Sequence, residues 1–213
     1  MKILILDFDG VIADSLSLQV KSVNKFSNKF GYQKIISVKI FKAYNMQEII
    51  EKIKMPEKYL ITAIQKIREE ASKHYDKVLL FKGINEVLVE LSKKYKLIIL
   101  SSNQESTIKT FLEKNNMKNL FSAIYTGEKL FDKHIIIGNI IKDFNVSKKD
   151  VIFIGDEQRD IEAGKKSGIK TGGVTWGYNS KERLIKENPD FLFEKAEELL
   201  QLVKQEKDEN DSE

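Results

Sequence analysis

Short, almost entirely apolar runs recur along the chain and predict β-strands that are buried on both faces. They cover residues 2–6, 96–100, 123–126 and 151–154 and, more weakly, 169–176 and 190–193. Between most of them, apolar residues recur at helical spacing; Val87, Leu88 and Leu91, for example, share one predicted helix face. Apolar strands that alternate with helices are typical of a parallel sheet covered by helices on both sides. This alternation accounts for residues 1–14 and 79–205.

Residues 15–78 break the alternation, because they contain helical patterns and no strand-like run. The first pattern places five apolar side chains at helical spacing before Gly31, a common helix stop: Leu16, Val20, Val23, Phe26 and Phe30. Amphipathic helices are also predicted within 40–53 and 57–75. The chain returns to the strand and helix alternation near residues 81–83. The sequence therefore predicts an α/β fold, with a Rossmann-like parallel sheet core and a small inserted helical module.

Composition narrows the function classes for this chain of 213 residues. Because cysteine is absent, disulfides, thiolate metal sites and a cysteine nucleophile are excluded. The apolar runs are too short to cross a bilayer, so we expect a cytoplasmic protein without a membrane partner. The net charge of +4 arises from lysines scattered among nearly as many acids, which does not predict nucleic-acid binding. Residues 206–213 form a charged run without periodicity and are predicted to be a disordered tail.

Polar side chains follow three of the predicted strands. Asp7 and Asp9 follow the first strand, Ser101 to Asn103 follow the strand at 96–100, and Asp156 follows the strand at 151–154. Asp160 comes one helical turn after Asp156. Ligands of open parallel sheets bind at the carboxyl ends of the strands, so we expect these groups to lie at one edge.

Several carboxylates at one edge repel each other; a like-charged pair ~4 Å apart costs about 4 kcal/mol at an effective dielectric constant of 20. Such a cluster either retains protons or holds a cation, and oxygen ligands without Cys or His indicate Mg²⁺. Each aspartate alone could instead begin a turn or cap a helix. Suitable chemistry at three strand ends together favours a functional site.

Four parts of the sequence resemble the signature motifs of the haloacid dehalogenase-like (HAD) phosphatase superfamily. They are DFDGVIADS at 7–15, Ser101, Lys133 and GDEQRDIEAG at 155–164. The resemblance extends over the whole chain, and residues 15–78 are similar to the small helical cap of that family. The segments IKTGGVTWGYNS and NPDFLF near the end resemble its phosphoglycolate-phosphatase-like branch. The resemblance thus implies a catalytic core of residues 1–14 and 79–205.

The resemblance implies roles for the two aspartates of the first motif. Asp7 would be the nucleophile that forms an aspartyl-phosphate, which divides one difficult displacement into two easier ones. Asp9 would protonate the leaving alkoxide and then deprotonate the attacking water. The backbone carbonyl of Asp9 would also meet the Mg²⁺ ion. Dehalogenases of the same fold lack the second acid and need no metal.

Roles for the other motif residues follow in the same way. Ser101 would donate a hydrogen bond to a phosphoryl oxygen, and Lys133 would neutralise phosphate charge and orient the nucleophile. Lys129 is a near competitor, but the interval to residues 155–156 selects Lys133. Asp156 would ligate Mg²⁺ directly. Asp160 would contact the ion through a water molecule or would orient the direct ligands. Ser102 and Asn103 are candidate substrate-binding residues without an assigned role.

Together these features predict a Mg²⁺-dependent phosphatase that hydrolyses a small phosphorylated metabolite. Phosphoglycolate, sugar phosphates, nucleoside monophosphates and pyrophosphate all remain open as substrates, and the oligomeric state is open too. One alternative is a phosphosugar mutase that uses the same aspartyl-phosphate and returns the phosphoryl group to its substrate. The other is a non-catalytic binding protein of the same fold, which is disfavoured because every expected catalytic position is filled.

Overall fold

The computed structural model describes residues 1–127 and 133–203. The strands in these ranges are β1 (Lys2–Leu6), β2 (Ala13–Asp14), β3 (Leu79–Leu80), β4 (Tyr95–Ser101), β5 (Phe121–Thr126), β6 (Val151–Gly155), β7 (Lys170–Val174) and β8 (Phe191–Phe193). Six of them form a parallel sheet with the order β5-β4-β1-β6-β7-β8. The other two, β2 and β3, pair antiparallel where the chain leaves and re-enters the sheet layer. The sequence pattern did not predict this short pair.

The α-helices in the described ranges are α1 (Leu16–Lys25), α2 (Ser27–Phe30), α3 (Lys39–Ala43), α4 (Met46–Lys52), α5 (Leu60–Ser72), α6 (Ile84–Ser92), α7 (Glu105–Lys114), α8 (Lys133–Asp143), α9 (Gln158–Ser167) and α10 (Lys181–Lys186). Helices and parallel strands alternate from β4 onwards. The predicted α/β fold class is confirmed. None of the described helices is long and apolar enough to cross a membrane. The predicted tail at 206–213 lies outside the described residues.

Strand β1 lies at the centre of the sheet, between β4 and β6. Leu4 and Leu6 pack into one apolar cluster, whereas Ile3 and Ile5 pack into a second cluster on the opposite face. Side chains of a strand alternate between the two faces, so an unbroken apolar run suits a strand covered on both sides. This central position carries the residues that follow Leu6 to the middle of the carboxyl edge of the sheet.

Helices α1 to α5, which we call the helical segment (residues 16–72), pack around a third apolar cluster, to which Tyr178 from the loop after β7 also belongs. Phe30, Phe41, Ile49 and Ile67 are buried in that cluster. Gly31 ends α2 with a φ of +73°, a left-handed conformation that glycine adopts without strain. The predicted pattern over 40–53 contains two helices. The break lies where the Asn45 side chain caps the N-terminus of α4 in a capping box with Glu48.

Helix α3 joins the helical segment to the loop after β7. The Lys42 ammonium donates hydrogen bonds to the backbone oxygens of Thr175 (3.1 Å) and Gly177. Asn179 Nδ2 donates to the backbone oxygen of Phe41 at 3.1 Å. Burial lowers the pKa of Lys42. These contacts hold the helical segment over the carboxyl edge of the sheet.

Candidate active site

Three carboxylates meet at the carboxyl edge of the sheet. Oxygen atoms of Asp7, Asp156 and Asp160 lie within 4.8 Å of one another. Asp7 follows β1, Asp156 follows β6, and Asp160 lies in the first turn of α9. All three side chains are buried. Adjacent parallel strands end at the same edge, so the pairing of β1 with β6 brings two of these aspartates together.

The Lys133 ammonium contacts this cluster directly. It donates to Asp7 Oδ2 and to Asp160 Oδ1, each at 2.6 Å. Burial alone would lower the pKa of Lys133, but the carboxylates of Asp160 and Asp7 raise it above its ordinary value. The side chain is therefore a buried ammonium that orients two carboxylates. Lys133 is the first residue of α8, whereas its sequence competitor Lys129 lies outside the described residues.

One ammonium does not balance three buried carboxylates, and the nearby Arg159 guanidinium forms an ion pair with a fourth carboxylate, that of Glu157. Burial raises the pKa of Asp7 to about 7, against the opposing effect of Lys133. Burial also raises the pKa of Asp156, and the neighbouring carboxylates of Glu157, Asp7 and Asp160 raise it further. A carboxylate cluster with excess negative charge in a buried position is stabilised by protons or by a cation.

Asp156 has an oxygen atom suited to a cation. Its Oδ2 accepts a hydrogen bond from the backbone N–H of Tyr178 at 2.7 Å. Its Oδ1 is buried and accepts no hydrogen bond from the described residues. The backbone at Gly10 and Gly177 packs against this carboxylate, and a Cβ at either position would overlap it; Gly10 also has a φ of +80°. The residues present thus fit Mg²⁺, which takes carboxylate oxygens together with water and phosphate oxygens.

The Asp9 carboxylate is not part of this cluster. Its Oδ1 accepts hydrogen bonds from Ser15 Oγ and from the Tyr75 hydroxyl, and its Oδ2 accepts one from Asn103 Nδ2 at 3.0 Å. The Tyr178 hydroxyl lies 2.9 Å from Ser15 Oγ. Burial and the Asp9 carboxylate raise the pKa of Tyr75, which is therefore a neutral donor. Asp9 is held in one orientation by groups from three parts of the chain.

The end of β4 supplies the remaining predicted side chains. Ser101 is buried, and its Oγ accepts a hydrogen bond from the backbone N–H of Asn103 at 3.0 Å. Ser101, Ser102 and Asn103 line one pocket together with Asp7 and Asp9. The structure thus brings the residues predicted after β1 and β4 to one cavity. Asn103 has a contact that the sequence did not suggest, since it binds the Asp9 carboxylate.

Sequence reasoning missed the tyrosines around Asp9. Tyr75 lies 66 positions from Asp9 along the chain, and Tyr178 lies 163 positions from Ser15. An isolated tyrosine in a helical or loop pattern carries no signal of such a contact. Ser15 was within the first motif, but its position there did not reveal its bond to Asp9.

Comparison with known proteins identifies the family. The family described as "Haloacid dehalogenase-like hydrolase" matches residues 4–174. This match covers more than half of the chain, and it includes the end of β1, all of β2 to β7 and the acidic residues of the site. The chain therefore belongs to the haloacid dehalogenase-like hydrolase family, and it is an enzyme of the hydrolase class.

Individual relatives match this chain over almost its whole length at less than 30% identity. The chain is similar to a phosphoglycolate phosphatase of Synechococcus elongatus, with 29% identity over 208 residues that cover 96% of this chain and 98% of the relative. It is also similar to the pyrophosphatase PpaX of Listeria monocytogenes, with 27% identity over 211 residues, 95% of this chain and 96% of the relative. These two relatives have different named substrates.

Solved structures share the fold. The crystal structure of a predicted phosphatase from Clostridium acetobutylicum superposes with a TM-score of 0.83 at 22% identity, covering 96% of this chain and 99% of that one. A Thermotoga maritima protein provisionally described as a β-phosphoglucomutase superposes with a TM-score of 0.69 at 21% identity, covering 96% and 99%. At these identities the likeness shows the fold alone.

Proposed function

We propose that this protein is a Mg²⁺-dependent phosphatase that hydrolyses a small phosphate monoester through an aspartyl-phosphate on Asp7. The observation that carries the proposal is the meeting of three buried carboxylates with the Lys133 ammonium, because one of these carboxylates, Asp7, also lines a pocket. The names of the two relatives, a phosphoglycolate phosphatase and a pyrophosphatase, support transfer of a phosphoryl group to water.

In the first step, an oxygen of Asp7 attacks the phosphorus atom, and the bond from phosphorus to the leaving oxygen breaks. The Asp9 carboxyl gives its proton to the leaving alkoxide, so the alcohol departs neutral. In the second step, Asp9 takes a proton from a water molecule, and that water attacks the phosphorus of the aspartyl-phosphate. The bond from phosphorus to the Asp7 oxygen breaks, inorganic phosphate leaves, and the Asp7 carboxylate is regenerated. Two acids are needed because nucleophile and proton carrier are different groups.

Other groups of the site would neutralise the negative charge of the phosphoryl group and of the carboxylates. The Lys133 ammonium holds Asp7 at 2.6 Å and faces the charge that develops on the phosphoryl oxygens. Ser101 Oγ donates to one of those oxygens. Asp7, Asp156 and the backbone carbonyl of Asp9 would hold Mg²⁺ directly, and Asp160 would do so through water. When bound, the ion neutralises charge on the carboxylates and on the phosphoryl group.

The helical segment acts as a cap in this proposal. Residues 15–78 would form the cap and residues 1–14 and 79–205 the catalytic core. Side chains of the helical segment and of the sheet edge line the same pocket, which supports this division. A cap that covers the pocket keeps bulk water away from the aspartyl-phosphate and contributes substrate contacts.

A panel of phosphate compounds tests the proposed function. Release of inorganic phosphate would be measured from phosphoglycolate, a hexose phosphate, a nucleoside monophosphate and pyrophosphate, with Mg²⁺ and with a chelator. We expect at least one compound to release phosphate with Mg²⁺, and chelation to abolish the release. Formation of an isomer from a hexose 1-phosphate without phosphate release would instead indicate a mutase. Absence of both reactions would contradict an enzyme of this mechanism.

The Tyr75 hydroxyl is predicted to position Asp9 for proton transfer. In Tyr75→Phe the carboxylate loses one donor, so we expect kcat to fall about tenfold, equivalent to about 1.4 kcal/mol. KM should change less than kcat, and the pH dependence of kcat should shift. Tyr32→Phe is the matched control, since Tyr32 donates to the backbone oxygen of Val23 inside the helical segment. Equal kcat losses in both variants would mean that the effect is structural.

A further inference from the structure

The pocket above the carboxylates has two unlike ends. Its floor is polar and is formed by residues at the sheet edge, including Asp7, Asp9 and Ser101. Its far side is formed by the helical segment and is strongly apolar. The lining there includes Val23, Phe41, Ile49, Ile50, Ile64 and Ile67.

Polar side chains are few on the far side. Among the described residues of the helical segment that line the pocket, Gln19 and Arg68 are polar, and no Lys, Asp or Glu is present. Arg68 already has an interaction within the protein, and a charged group placed away from it would exchange water for aliphatic side chains. Burial of charge without several polar partners is strongly unfavourable. Apart from the position of Arg68, the far side is therefore suited to an uncharged and apolar group.

Two apolar residues of the pocket lining do not pack in the apolar cluster of the helical segment. Ile50 on α4 and Ile64 on α5 are half-buried and line the pocket. Neither belongs to the apolar cluster of the helical segment, which Phe41, Ile49 and Ile67 form together with other residues. Their aliphatic surface faces a cavity that opens onto the carboxylates. An apolar ligand would remove this surface from water.

We infer that the substrate is a phosphate monoester with an apolar leaving group, which extends from the carboxylates between α4 and α5. The inference rests on the proposed function and specifies its substrate class. The phosphoryl group lies at the polar floor, and the alkyl or aryl part of the alcohol packs against the aliphatic side chains. Phosphoglycolate and pyrophosphate, whose leaving groups carry charge, would meet one cationic side chain there, Arg68, among many apolar ones, and so fit this pocket less well. The specificity therefore differs from the substrates named for the two relatives.

A series of n-alkyl phosphates tests the inference on the wild-type enzyme with Mg²⁺. For ethyl, butyl and hexyl phosphate, we expect kcat/KM to rise about fourfold for each added methylene, the equivalent of transferring it from water to an apolar site. Hexyl phosphate should also exceed phosphoglycolate and pyrophosphate. Equal values along the series, or a preference for phosphoglycolate, would overturn the inference and leave the phosphatase proposal standing.

A binding measurement separates this inference from the proposed function. Ethyl- and hexylphosphonate cannot be hydrolysed, and their affinities for the wild-type protein with Mg²⁺ are measurable by calorimetry. We expect the hexyl compound to bind more tightly, with a negative heat-capacity change from apolar burial. If affinity rises with chain length but no ester is hydrolysed, the phosphatase proposal fails while the apolar pocket stands. If affinity does not depend on chain length, the pocket does not hold an apolar group.

Two variants on helix α5 test whether the dependence of kcat/KM on alkyl chain length arises in this pocket. Ile64→Asn places a polar side chain in the pocket, and we expect kcat/KM for hexyl phosphate to fall about tenfold while that for ethyl phosphate changes less than about twofold. Ile61→Asn is the control, because Ile61 lies on the same helix but is 75% exposed and outside the pocket lining. It should retain the wild-type dependence on chain length. If Ile64→Asn fails to fold, Ile50→Asn tests the α4 side of the pocket in its place. If a folded variant keeps the wild-type dependence of kcat/KM on chain length, the alkyl group does not pack between α4 and α5.

Discussion

Asp7→Asn should release phosphate at least about 1000-fold more slowly than the wild-type enzyme, a loss of about 4 kcal/mol of transition-state stabilisation. The amide has nearly the shape of the carboxylate but is a poor nucleophile, so no aspartyl-phosphate forms. Its oxygen can still accept the hydrogen bond from Lys133. Single-turnover phosphate release at saturating substrate and Mg²⁺ measures the chemical step directly.

The matched control for this variant is Asp143→Asn. Asp143 is an exposed residue at the end of α8, and its Oδ2 accepts a hydrogen bond from the Tyr125 hydroxyl. The amide oxygen can accept the same bond, so both activity and stability should stay near wild-type values. If Asp7→Asn and wild-type protein release phosphate at equal rates, Asp7 is not the nucleophile. A loss that appears in KM alone would assign Asp7 to binding.

The acidic site was predictable because it depends on two local properties of the chain. Apolar runs mark buried parallel strands, and the residue after such a strand lies at the carboxyl edge of the sheet. Asp7 and Asp156 follow neighbouring strands, and their oxygen atoms do lie within 4.8 Å of each other. The predicted α/β fold rests on the same alternation of strands and helices, which is why it could be confirmed.

The surroundings of Asp9 and the apolar side of the pocket were not predictable in this way. Helical periodicity shows that a side chain such as Ile49 or Ile64 is turned inwards, but it gives the same signal for a packed core and for a cavity wall. The hydrogen bond from Tyr75 to Asp9 depends on how the chain returns from the helical segment. Such contacts between distant residues are set by tertiary packing, which a linear pattern does not contain.

Asp156→Asn should distinguish the contribution of Asp156 to Mg²⁺ binding from its contribution to the stability of the fold. Without Mg²⁺, Asp7, Asp156 and Asp160 are buried together, so replacement of one titratable carboxyl group by a neutral amide relieves repulsion. We therefore expect the chelated variant to unfold at the same temperature as the chelated wild type or a few degrees higher. Thermal unfolding followed by circular dichroism, with Mg²⁺ and with a chelator, measures this difference.

Addition of Mg²⁺ should reverse the order of stability. An ion that binds only the folded wild type at 100 times its Kd stabilises it by about 2.7 kcal/mol, and each kcal/mol raises Tm by roughly 2–4 °C in a chain of this size. In the variant the amide oxygen accepts the hydrogen bond from Tyr178, so an NH2 group replaces the carboxylate oxygen that accepts no hydrogen bond from the described residues. The Tm of the variant should therefore respond little to Mg²⁺. Asp143→Asn should respond like the wild type. The variant retains Asp7 and Asp160 but lacks the Asp156 carboxylate. If Mg²⁺ raises the Tm of wild type and Asp156→Asn equally, the ion does not bind to Asp156, and the proposed metal site is wrong.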